Sequence, residues 1–233
     1  MHAWLSRLTK MHRFCIEQLI YPLVLSSSFA CALYAGRVYL SHRRILFILI
    51  WNLFLAWIPY LCSLAIMVLQ VRRPQARWAL LLLTGVWLIF FPNAPYLVMD
   101  LLHLEERRPV PLWYDFGLLI SFAWTGCLLG VVSLNQMQVV VKKHLGNAFS
   151  WLFVLGTLGL SGLGIYLGRF LDWNSWDLIL RPQSVLSDIA MRLVHPVQYQ
   201  QTYGFALLFA ALLLVCYVTF VSIGHRLGEQ VEN

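Results

Sequence analysis

Six apolar runs of about 20 residues, each closed by polar or basic residues, constrain this chain more than anything else in it. They fall at about residues 17–36, 45–70, 78–99, 116–141, 149–168 and 203–224. A helix of that length crosses about 30 Å of hydrocarbon. The runs do not alternate apolar with polar residues, which excludes the strands of a membrane barrel. Sixty per cent of the 233 residues are hydrophobic and 12% are charged, more apolar surface than a water-soluble domain can cover. The expected fold is all-α: a polytopic membrane helical bundle of about six transmembrane helices, with short interfacial amphipathic helices.

Three regions follow. Residues 1–16 place Trp4, Leu8, Met11 and Cys15 on one helical face and Arg7, Lys10 and Arg13 on another, the pattern of a basic helix lying in the membrane interface. A frayed, solvated leader is one alternative. A cleaved signal ending near Ala30-Cys31-Ala32 is another. Residues 17–225 form a single six-helix transmembrane domain, and 226–233 a short polar tail. A second interfacial helix is expected near 184–194, with Val185, Leu186, Ile189 and Leu193 on one face. The five cysteines form no C-x-x-C pair and suit helix packing.

The net charge of +7 sits in short clusters between apolar runs, as orientation signals do, and not in a stripe interleaved with aromatics. Nucleic acid is therefore no expected partner; the lipid bilayer is. Nine Lys and Arg on the N- and C-terminal face against eight on the other narrowly favour both termini inside. The acids are more lopsided. Asp100, Glu105, Glu106, Asp115, Asp172, Asp177 and Asp188 all fall on the face of the first, third and fifth loops, expected to be periplasmic.

Polar residues near a bilayer are costly and mark function by default. The third run ends Phe91-Pro-Asn-Ala-Pro-Tyr-Leu-Val-Met-Asp-Leu-Leu-His103. On a continuous helix Asn93, Tyr96, Asp100 and His103 form one stripe about 15 Å long. Pro92 and Pro95 free the carbonyls of Leu88 and Phe91, which Asn93 is equipped to satisfy. Trp113-Tyr114-Asp115 opens the next run and adds a carboxylate. The alternative is a proline kink with an aromatic belt, Asp115 serving only a helix N-terminus.

The fifth run ends in Gly164-Ile-Tyr-Leu-Gly168-Arg169, then Asp172 and Asn174-Ser-Trp-Asp177. Gly164 and Gly168, with Gly156, Gly159 and Gly162, suit close helix packing. Arg169 then snorkels outward or pairs with Asp100 or Asp115. Asn174 or Ser175 is the expected N-cap of a short helix containing Asp177. Asn52 and Pro59 in the second run suit structural roles, an interhelical hydrogen bond and a bend.

No H-E-x-x-H, G-x-S-x-G or P-loop occurs. The acids and amides suit a hard cation better than zinc, yet neither a metal nor a cofactor is specified.

These stretches also carry a resemblance. Trp51-Asn-Leu-Phe-Leu-Ala-Trp-Ile-Pro59, Pro92 to Asp100 with His103, Pro111-Leu-Trp-Tyr-Asp115, Ser121-Phe-Ala-Trp-Thr-Gly126 and Gly164 to Arg169 with Asn174-Ser-Trp-Asp177 resemble the bacterial integral-membrane family known as domain of unknown function 1361. Met99 stands where the family pattern suggests threonine. The resemblance implies a polytopic protein of a bacterial inner membrane and supplies no activity.

The functional expectation is a polar site at one membrane face, binding or acting on a lipid head group or amphiphile. Asp100 is the candidate base, His103 assists, and Asn93, Tyr96, Asp115, Arg169, Asn174 and Asp177 are candidates for ligand contact. This requires the third and fifth spans to be neighbours. A structural or assembly subunit and a small transporter are the alternatives; oligomeric state is not specified.

Overall fold

A computed structural model describes residues 2–73, 75–106 and 108–232, and at 2–8, 193 and 225–232 it describes the backbone but not the side chain. No strand occurs among the described residues. Helix α1 (His2–Glu17) leads into α2 (Ile20–Ser41), with Leu19 in the left-handed region at the turn. There follow α3 (Phe47–Arg72), α4 (Arg77–Phe90), the single turn α5 (Asn93–Tyr96) and a 3₁₀ segment, Leu97–His103. The chain continues with α6 (Leu112–Leu145), α7 (Asn147–Phe170), the short α8 (Asp177–Leu180), α9 (Pro182–Val194) and α10 (Gln200–Glu232).

Six segments are long and apolar enough to cross a membrane: α2, α3, Arg77–His103, α6, α7 and Gln200–Gly224. Their outward faces carry Leu25, Trp78, Leu82, Leu152, Leu207 and Val215, each more than 60% exposed, which only lipid can solvate. The protein is a multi-pass membrane helical bundle.

Helix α6 is the centre. Its 34 residues run about 50 Å, longer than the hydrocarbon is thick. It touches α2, α3, α5, the 3₁₀ segment, α7 and α10. One core cluster joins Leu49, Leu53 and Ala56 of α3 to Leu118, Leu119 and Phe122 of α6 and to Leu97. A second joins Trp87, Leu134, Val154, Ile165 and Tyr217. Gly146 (φ 87°) turns α6 into α7 without a loop, a conformation that a Cβ would strain.

Small residues are used selectively. Gly162 meets the Ala206 carbonyl of α10, while Gly164 and Gly168 seat α7 on Pro92 and Tyr96. A Cβ on either would come within 3.0 Å of Pro92 or 3.1 Å of Tyr96. Gly156 and Gly159, expected to join this packing, face open space.

Other boundaries differ from expectation in an informative way. Helix α2 runs five residues beyond the expected end at 36, so Arg37 lies inside a helix. Helix α9 forms where expected, but Val185 faces inward while Leu186 is exposed. Leu193, Trp4, Arg7 and Leu8 belong to faces whose side chains lie outside those described. The expected tail at 226–233 also lies outside them, although the backbone continues α10 to Glu232.

Candidate functional site

The two prolines of the third span build the site's backbone. Without their amides the α-ladder cannot pass Phe91, and the helix tightens into 3₁₀ geometry from Leu97. The Ala94 amide moves onto the Phe91 carbonyl at 3.2 Å. That leaves the Phe90 carbonyl, which accepts from Asn93 Nδ2 at 3.0 Å. Asn93 thus mends the ladder at the Phe90 carbonyl, and not at the expected carbonyls of Leu88 and Phe91. Its amide also donates to Ser175 Oγ at 2.7 Å, tying the third span to the fifth loop.

The break divides the expected stripe. Asn93 and Tyr96 face α7 and the loop beyond it. The 3₁₀ segment, with three residues per turn, aligns Asp100 with His103 on a different line. The two missing amides change the helical phase between Asn93 and His103, while Tyr96 and Asp100 still share Arg169 as a neighbour.

Asp100 is 1% exposed. Asn52 Nδ2 of α3 donates to both of its oxygens, at 3.2 and 3.0 Å. His103 Nδ1 lies 3.8 Å from Asp100 Oδ1, an electrostatic contact too long for a hydrogen bond. On its other edge, His103 Nε2 is 3.5 Å from Arg169 Nη1 of α7. The guanidinium also neighbours Tyr96 and Asp100. Arg169 therefore faces the cluster, and among the described residues it makes no ion pair within 4 Å.

Asp115 belongs to another arrangement. Arg37 Nε donates to its Oδ1 at 2.7 Å and Nη2 to its Oδ2 at 2.9 Å. The residues are 1% and 2% exposed, and Arg37 Nη1 has no partner among the described residues. The fork locks α2 to α6, with Tyr114 Oη donating to the Leu33 carbonyl beside it. Asp115 is consequently committed to Arg37 and not to Arg169. Arg37, counted from the sequence among loop charges, is its missed partner. The signal was present: Val38-Tyr39-Leu40 continues the apolar run past a lone cation.

Asn174 and Asp177 also lie apart. The Asn174 amide donates to Asp177 Oδ2 at 2.8 Å, closing the turn before α8. Neither Asn174 nor Ser175 caps that helix; Trp176 holds the N-cap position without a side-chain bond. Ser175 is occupied by Asn93 instead. Asp188 accepts from Trp173 Nε1 at 2.8 Å and so ties α9 to the same loop.

The structure thus joins Asn52, Asp100, His103 and Arg169, with Tyr96 beside them. Trp51 and Trp176, the chain neighbours of Asn52 and Ser175, meet with their ring centroids 6.2 Å apart. Among the described residues no three His, Cys, Asp or Glu side chains converge as metal ligands would. The interhelical hydrogen bond expected of Asn52 is the one it donates to Asp100.

Residues 51–216 match the model of the family described as protein of unknown function, DUF1361. The chain belongs to this family. The match takes in every residue of the cluster from Asn52 to Arg169 but not Arg37. No curated protein and no solved structure matches the chain.

Proposed function

We propose that this DUF1361 protein binds the anionic head group of an amphiphile at the membrane face of its first, third and fifth loops. The observation that carries the reading is the half-buried Arg169, beside His103 at 3.5 Å and, among the described residues, in no ion pair within 4 Å. A guanidinium has five donors suited to phosphate or carboxylate, and most are uncommitted here. The paired tryptophans and the span-end position suit a molecule that is half in lipid.

Acid–base work, if the site performs it, falls to His103 and not to Asp100. Asp100 is buried and held by Asn52, whereas the His103 side chain is 39% exposed. With its proton on Nδ1, toward the carboxylate, His103 presents Nε2 as an acceptor to Arg169 Nη1 and helps to hold the guanidinium in place. A lipid extract of purified wild type should contain a bound anionic amphiphile by mass spectrometry. Arg169→Ala should lose at least about tenfold of it, consistent with a charge-assisted bond of ~1.5–3 kcal/mol. Equal lipid content in both proteins would remove the reading.

The structural alternative also has an observation in its favour: Asp100 and Asp115 both find partners within the bundle. It expects His103→Ala and Arg169→Ala to lower thermal stability without changing bound lipid. The transporter alternative finds less support. Leu53, Ala56, Ala94, Leu97 and Phe122 are buried and fill the core beyond Asn52.

The membrane is oriented, in this proposal, with both termini inside and the acidic loops on the opposite, periplasmic side. The support for this orientation is the count of nine basic residues on the side of the termini against eight on the acidic side. The basic α1 then lies along the inner interface.

A further inference from the structure

The cavity of this molecule lies at the other membrane face. It has a volume of about 350 Å³ and opens between the C-terminal end of α6, the start of α7 and the last apolar turns of α10. That volume falls within the range of small-molecule sites. Asn135, Gln138, Lys142 and Asn147 supply the polar lining, Val139, Trp151 and Phe220 the apolar one. We propose that this cavity is a second ligand site, built for the anionic head group of a lipid of the leaflet facing the chain termini.

The donor set selects the charge. Lys142 and three amides line the cavity and, among the described residues, no carboxylate does. Among the described residues Lys142 makes no ion pair, and the side chains of Asn135 and Asn147 make no hydrogen bond. Gln138 Oε1 accepts from Tyr217 Oη, which fixes the amide and leaves its two N–H donors to the cavity side of the balance. These groups are open to a ligand from outside the bundle, since Asn147 and Lys142 are exposed and Asn135 partly so.

The shape selects an amphiphile. Asn135 and Lys142 are seven residues apart on α6, about 10 Å along the axis, so the lining runs from the basic interface toward the core. Val139, Trp151, Phe220 and Val221 line the same cavity and give it an apolar wall beside the polar one. A head group at Lys142 with its chain against Trp151 and Phe220 uses both kinds of lining. A free anion uses only the polar one.

The site is independent of Arg169, and one experiment separates the two. The full chain is placed in nanodiscs of phosphatidylcholine with a minor share of phosphatidylglycerol, then released for native mass spectrometry. Wild type should retain phosphatidylglycerol above its share in the disc. Lys142→Ala, at an exposed position that folding tolerates, should lower that retention at least about tenfold, the effect of losing one hydrogen bond between charged groups. Asn135→Leu should lower it as well, whereas Lys143→Ala, outside the cavity, should not. Arg169→Ala should leave the Lys142-dependent portion in place. Equal losses in Lys142→Ala and Lys143→Ala would reduce the effect to general surface charge and overturn the site. Displacement of the lipid by millimolar inorganic phosphate would assign it to a soluble anion instead and overturn the amphiphile.

Discussion

At the scale of single residues, the molecule treats its two buried carboxylates differently. Asp115 has a full counter-charge in Arg37, and Asp100 has an amide and an imidazole. Removing one member of a buried ion pair strands the other in a medium that solvates it poorly. Arg37→Ala should therefore cost about 3–5 kcal/mol, seen as a lower unfolding midpoint in detergent micelles. The double change Arg37→Met with Asp115→Leu should recover most of that loss. At Asp100, Asn52→Leu removes two hydrogen bonds to a buried group and should cost about 1–3 kcal/mol in the same assay. The polar residues themselves were legible as candidates, because charges and amides near a bilayer are rare. Their partners were not. Pairing Asp115 with Arg37 needs residues 78 positions apart to meet, which no local spacing encodes.

At the scale of elements, the break at Pro92 and Pro95 and the glycine stripe of α7 act together. The prolines halt one helix and present a tight 3₁₀ segment; Gly164 and Gly168 let α7 close on Pro92 and Tyr96 just before it and carry Arg169 to His103. Gly168→Val should push Tyr96 and α7 apart, costing about 1–3 kcal/mol and reducing bound lipid as Arg169→Ala does. Gly156→Ala and Gly159→Ala meet nothing and should stabilise α7 by about 0.5–1 kcal/mol each. Thermal melts of the three variants check this contrast. The sequence marked all five glycines alike, since spacing reports which residues share a face and not which face finds a neighbour. It also drew the stripe from Asn93 to His103 on an unbroken helix. The change to three residues per turn depends on where Ala94 and Asn93 find acceptors, and that is decided by contacts.

At the scale of the whole molecule, two polar regions sit at opposite ends of an apolar bundle. Asn52, Asp100, His103 and Arg169 lie toward the acidic loops, and the Lys142 cavity toward the termini. The orientation proposed for them predicts labelling by a membrane-impermeant maleimide in whole cells. In a cysteine-free background, Arg181→Cys should react from outside and Lys143→Cys only after permeabilisation; the reverse result would invert the molecule in the membrane. What the sequence by itself determined is the all-α membrane architecture and the face on which the acids gather. Both follow from local composition, because a bilayer demands apolar helices of a set length and an even number of crossings returns alternate loops to one side. The tertiary structure alone decided that Arg169 meets His103, that Asp115 belongs to Arg37, and that the cavity lies across the membrane from both. Those outcomes depend on which helix faces approach closely enough to touch. In lipid, outward and inward faces are both apolar, so hydrophobic periodicity is too weak to name the neighbours.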